Sequence, residues 1–154
     1  MIEKSGITKS GKSLIILLVF YFLISGQQLN AQCSPGSLSR QCIDNLGEGA
    51  IYLKSFSIDG QDKTRDKIEY TTVLSKDTQY TFQICSSGEG ADGIILTIYD
   101  AKRNAIASNR DDIIIKPELK YTCAITGIYY LAFTFYESAN RCGGCILSFK
   151  NNQD

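Results

Sequence analysis

Beyond residue 50, apolar and polar positions alternate strand-like. Ile68, Tyr70, Thr72 and Leu74 interleave with Lys67, Glu69, Thr71 and Val73, the period of two that sets one face of a strand against a core. Comparable runs occupy 51–58, 80–85, 94–99, 105–108, 119–123, 128–135 and 145–150, separated by turn formers such as Asp59-Gly60, Ser75-Lys76-Asp77 and Thr126-Gly127. Residues 94–99 are too uniformly apolar for an edge strand, and 128–135 are the most aromatic. Another apolar run, Ile113-Ile114-Ile115, lies between Asp112 and Pro117. Eight short strands without a long amphipathic helix predict an all-β, two-sheet sandwich. Before Gly49 an irregular arm is expected, with a short helical turn over 37–45.

The first 31 residues follow another pattern. Lys4, Lys9 and Lys12 stand against Glu3, an uncharged apolar run extends from Leu14 to Ile24, and Ser25-Gly26-Gln27-Gln28 ends it. A basic end, a short apolar core and a polar exit make a signal peptide. A membrane anchor wants about 18 apolar residues, and this run is shorter. Cleavage is expected after Ala31, and Gln32, standing between Ala31 and Cys33, argues against lipidation of that cysteine. The predicted organisation is therefore a signal peptide over 1–31, an arm over 32–49, a sandwich over 50–150 and a tail over 151–154. The expected location is secreted or periplasmic, with no stable membrane span after cleavage.

Charge adds an exclusion. The whole chain carries 16 basic and 16 acidic residues, and loss of the leader's three lysines and one glutamate leaves a net charge of −2. No basic run stands out, so nucleic acid is not an expected partner.

The chain contains no histidine, which removes Ser-His-Asp and Cys-His catalysis and histidine-bound zinc. All six cysteines, Cys33, Cys42, Cys85, Cys123, Cys142 and Cys145, lie beyond the leader. In an exported chain they are disulfide candidates, and six allow 15 connectivities. Cys142-Gly143-Gly144-Cys145 has the spacing of a redox pair, but no helix follows to lower a thiol pKa, so a staple is expected.

Glu89, Asp92, Asp111 and Asp112 fall in turns, where acids are ordinarily solvated; a carboxylate-based enzyme is the least favoured reading. Asp59, Asp62 and Asp66 share one loop and are the calcium candidates, with Lys63 and Arg65 interleaved against a dication. Tyr129 and Tyr130 are the candidate ligand platform. As neighbours on one strand they point to opposite faces, so one belongs to the core while the other faces out or is covered.

Tyr80-Thr81-Phe82-Gln83-Ile84, then Leu96-Thr97-Ile98-Tyr99-Asp100 with Ala107-Ser108-Asn109, then Thr126-Gly127-Ile128-Tyr129-Tyr130-Leu131, resemble the bacterial pre-peptidase C-terminal domain over roughly 50–150. The resemblance implies a jelly-roll-like β-sandwich of the kind appended to secreted enzymes, akin in shape to carbohydrate-binding modules. The chain departs from that pattern in lacking an attached catalytic domain and in its many cysteines. The implied strand order places the third predicted strand between the eighth and the sixth. Cys85 would then meet Cys142 or Cys145 at one pole, and Cys123 would meet Cys33 or Cys42 at the other. With three cysteines at each pole, either one bridge crosses or two thiols stay unpaired.

The functional expectation is a small secreted binding or interaction module, not an enzyme, with no catalytic residue and no cofactor beyond the calcium candidates. Its expected ligand is an unidentified protein or glycan. The alternative is a structural or inhibitory partner of another exported protein, acting through the arm.

Overall fold

The computed structural model describes residues 33–62, 65–88 and 90–150. The expected signal peptide, its cleavage point, Lys63, Glu89 and the tail over 151–154 lie outside them. Helix α1 (Pro35–Asp44) precedes ten strands: β1 (Ala50–Asp59), β2 (Ile68–Leu74), β3 (Gln79–Ser86), β4 (Ile94–Tyr99), β5 (Ala105–Ser108), β6 (Arg110–Asp111), β7 (Ile114–Ile115), β8 (Glu118–Thr122), β9 (Gly127–Phe135) and β10 (Cys142–Lys150). Two antiparallel sheets of four strands, ordered β1-β10-β3-β8 and β2-β9-β4-β5, form the sandwich, and β6 and β7 make a separate hairpin.

Alternation assigns the faces. Phe56, Ile58, Phe82, Ile84, Cys145 and Leu147 of the first sheet meet Leu74, Leu96, Ile98, Leu131 and Phe133 of the second in one core. Each fully buried aliphatic or aromatic side chain contributes about 1.5–3 kcal/mol. Phe56 packs on Tyr70 at 5.2 Å between ring centroids and on Phe133 at 6.4 Å. The Tyr70 hydroxyl donates to Ser57 O at 2.6 Å, linking the edge strands of the two sheets.

β3 lies between β10 and β8, antiparallel to both, the order that the resemblance implied. The disulfides differ from expectation. Cys33 pairs with Cys142 and Cys42 with Cys85, while Cys123 and Cys145 remain buried thiols. Face alternation rules out one of the expected pairings. Cys85 stands opposite Gly144 and Cys145 opposite Ile84; Ile84 and Cys145 point into the core, so Cys85 points outward and cannot reach Cys145.

The arm also goes to the other pole from the one expected. Pro35 starts α1 at a position where its missing N–H costs nothing. Leu38, Ser39 and Cys42 form the buried face, and α1 packs on β10, β3 and β1 at the Cys85–Cys142 end. Gly144 permits this approach, since a Cβ there would collide with Ser39, whereas Gly143 points into the core, where a Cβ would collide with the Ile94 side chain.

Candidate functional site

The pole braced by the two disulfides gathers the loop residues 60–62, 65–67, 87–88, 90–93 and 136–141 together with the β6–β7 hairpin. Its backbone is unusually shaped. Asp92, Asp112, Glu137 and Arg141 all have positive φ, at 44°, 55°, 49° and 49°, a region that costs a non-glycine residue energy unless its surroundings hold it. Gly93, also at positive φ, sits so close to Tyr136 that a Cβ would strike its carbonyl.

Named contacts hold these loops. Asp92 accepts from Ala139 N at 3.4 Å and from Asn140 Nδ2 at 3.3 Å. Arg141 donates to Arg65 O at 3.1 Å and lays its guanidinium 4.7 Å from the centroid of the Phe135 ring. Asp92 is thus a loop clamp.

The hairpin is the most prominent element of this pole. Arg110 pairs with Ile115 and Asp111 with Ile114, leaving Asp112 and Ile113 as the two-residue turn, with Asp112 in the left-handed region such hairpins require. Ile113 is 78% exposed and Ile114 60%. Single exposed apolar residues are common; here two adjacent ones share a projecting tip.

Its base is fixed by Asn109, a fully buried amide. Asn109 Oδ1 accepts from Leu96 N at 2.8 Å, and Nδ2 donates to Ile94 O at 3.1 Å and to Lys116 O at 2.8 Å. Lys116 N donates to Asn109 O at 2.9 Å. Arg110 Nε donates to Asp112 O at 2.7 Å and its guanidinium stacks 4.5 Å from the Tyr136 ring centroid. The tip is thereby held in place before any partner arrives, which lowers the ordering cost of contact.

The opposite pole carries a hollow of about 340 Å³ between the β4–β5 turn (Asp100, Ala101, Lys102, Asn104) and the residues Ile125–Tyr129. Ile125 and Ile128 are 72% and 49% exposed, and Val73, 67% exposed, stands beside Ile128 in register. A second recess of about 290 Å³ lies on the outer face of the first sheet below the end of α1, with polar walls that include Thr81, Gln83, Lys120 and Ser148.

Tyr129 and Tyr130 do not form a platform. Tyr129 is buried, its hydroxyl donating to Ile125 O at 2.6 Å, and burial raises its pKa. The Cys123 thiol lies 3.4 Å from that hydroxyl and 3.2 Å from Ile125 O. Tyr130 faces outward beneath the Arg103 guanidinium, 3.5 Å from its ring centroid. Arg103 is held there by Glu69 at 2.7 Å.

The calcium candidates are not assembled either. Asp59 Oδ1 accepts from Gln61 N at 3.1 Å in a local turn. No group of three His, Cys, Asp or Glu residues positioned for a metal occurs among the described residues.

Three of the other acids have defined partners. Asp111 pairs with Lys116 at 3.6 Å. Arg103 and Lys67 hold Glu69 below the usual carboxylate range, and Asn104 does the same to Asp100; a general acid at neutral pH needs the opposite direction. Cys142 is bonded to Cys33, and burial pushes the Cys145 thiol upward, so the two do not form a reactive dithiol.

The hairpin is the feature that strand reading missed. Its signals were the doubled acid Asp111-Asp112, suited to a turn at positive φ, and an isoleucine run with no polar alternation ahead of Pro117.

No family model matches the chain, and no curated protein matches it. Among solved structures, the chain is similar to the crystal structure of PliG from Aeromonas hydrophila, a periplasmic lysozyme inhibitor of g-type lysozyme. The identity is 17% and the TM-score 0.41, over 67% of this chain and 87% of that one.

Proposed function

We propose that this protein is a small exported binding module without catalytic activity, and that the β6–β7 hairpin is its contact element toward a folded protein partner. The observation that carries this reading is the exposure of Ile113 and Ile114 on a tip whose base is fastened by the buried Asn109. Such a tip suits an apolar recess: the isoleucines lose water on docking, and a pre-ordered backbone loses little entropy. A tip that fills a cleft also blocks it, so the same geometry serves an inhibitory partner of another exported protein. The arm is less suited to that task, because α1 is tethered to the sheets through Cys33 and Cys42. A protein partner is favoured over a glycan because Tyr129 is committed to the core and Tyr130 lies beneath Arg103.

The test is comparative capture from the secreted fraction of the source cells, using the immobilised chain, Ile113→Asp, and Leu53→Asp on β1 as a control. A protein retained by the wild type and by Leu53→Asp, and lost from Ile113→Asp, supports the reading. Equal retention by all three excludes the hairpin as the contact element.

A further inference from the structure

The polar recess below the end of α1 is floored by two cross-strand rows. Ser148, Thr81 and Lys120 stand directly opposite one another on β10, β3 and β8, and Gln83 and Glu118 make the next row. Leu147, Phe82 and Leu119, which lie between them along the strands, face the core, so alternation turns all five side chains outward. Neighbouring strands lie about 4.8 Å apart, which fixes the spacing of these groups. Asn45, Leu46 and Gly47 supply another wall. Asn45 N and Leu46 N donate to Cys42 O and Ile43 O, Ala50 N donates to Gly47 O, and the Cys42–Cys85 bridge ties this end of α1 to β3. The recess is thereby ordered in advance of any ligand.

The floor keeps hydrogen-bonding capacity that the fold does not use. Ser148 is 1% exposed, yet its hydroxyl makes one bond, donated to Thr81 O at 3.4 Å. The Thr81 hydroxyl and the Gln83 side-chain amide have no protein partner among the described residues. A hydroxyl donates and accepts, and an amide carries both kinds of group. An apolar occupant would leave all three without partners, a cost that a hydroxylated one avoids.

Charge does not select an ion. Glu118 and Lys120 pair with each other at 3.0 Å. Lys150 also lines the recess, but Asp44 and Glu48, both exposed, adjoin the lining residues Asn45 and Gly47 in sequence. Neither sign prevails.

We propose that this recess binds a neutral polyhydroxylated ring, one sugar unit in size, whose hydroxyls bond to Ser148, Thr81 and Gln83. The volume of about 290 Å³ stands at the small end of ligand sites, which begin near 300 Å³, and suits a single ring. The site uses no residue of the hairpin, so it is separate from the protein-contact reading.

Titration followed by the amide NMR spectrum of the disulfide-bonded protein tests this, with glucose, galactose, mannose and N-acetylglucosamine as probes. Cyclohexanol, a ring with one hydroxyl, and acetate are the controls. At least one sugar should give saturable shifts centred on Thr81, Gln83 and Ser148, and the controls none. Ser148→Ala and Gln83→Leu should each weaken that binding by about tenfold, and Ile113→Asp should leave it unchanged. Gln83 is half-buried, so Gln83→Leu carries the test if Ser148→Ala fails to fold.

Absence of a saturable shift with all four sugars overturns the proposal, as does cyclohexanol binding equally well. Acetate binding alone would assign the recess to an anion held by Lys150 and overturn the sugar reading. None of these results bears on the hairpin, whose capture experiment is read independently.

Discussion

Asn109 Oδ1 accepts a hydrogen bond from Leu96 N at 2.8 Å, fastening the start of an exposed hairpin to a fully buried residue in the middle of β4. The same amide donates to Ile94 O and Lys116 O, so one side chain closes both ends of the segment carrying Ile113 and Ile114. Replacement by alanine would strand a buried N–H and two carbonyls. Asn109→Ala should cost about 2–4 kcal/mol, read as a lower denaturant midpoint, with amide exchange accelerated first over 110–115.

Glu69 gives the outer face of the second sheet its pH dependence. Arg103 and Lys67 lower its folded pKa. The stability it contributes is therefore present above the unfolded value, about 4.3, and is lost as pH falls through the lower folded value. The pairs are partly exposed, so the effect should stay below about 1 kcal/mol. Glu69→Gln should flatten this part of an acid unfolding curve while leaving stability near pH 7 lower by the same small amount. A wild-type slope retained in the variant would assign the acid sensitivity elsewhere.

The two bridges hold the arm against β10 at Gly144. Peptide mapping without reduction should recover Cys33 with Cys142 and Cys42 with Cys85. Removing either bridge by paired alanine substitution should cost about 2–4 kcal/mol. Gly144→Ala should cost about 1–3 kcal/mol by pushing Ser39 and α1 off the sheet, seen as increased exchange over 35–44.

Cys123 and Cys145 are buried thiols, and burial raises the pKa of Cys145. Since the thiolate is the reactive form, a thiol reagent should find no reactive group in the native protein and two after denaturation without reductant. Reaction of either thiol in the native state at a rate matching a free peptide cysteine would contradict the packing around Tyr129 and Ile146.

Much of the sandwich was legible because strand alternation is a local signal. Ile68, Tyr70 and Leu74 announce an inner face, and the predicted third strand does lie between the predicted eighth and sixth. The disulfide pattern was not legible, because it depends on where α1 docks. That docking needs the absent Cβ at Gly144, a residue that in sequence resembles part of the spacer of a redox pair. The candidate site was hidden for another reason. Ile113-Ile114-Ile115 has the composition of a core strand, and only the turn at Asp112 and the clamp at Asn109 direct its tip into solvent. For Tyr129 and Tyr130, alternation foretold opposite faces, but the cover over Tyr130 comes from Arg103, beyond the reach of a local pattern.

The most direct test of the hairpin as contact element is photo-crosslinking from a benzophenone side chain placed at position 113, with the same probe at position 53 as control. The account predicts protein adducts from position 113 and none from position 53, with the crosslinked peptide lining an apolar recess of its protein. Adducts from position 53 alone, with the probe at 113 reacting only with solvent, would contradict it.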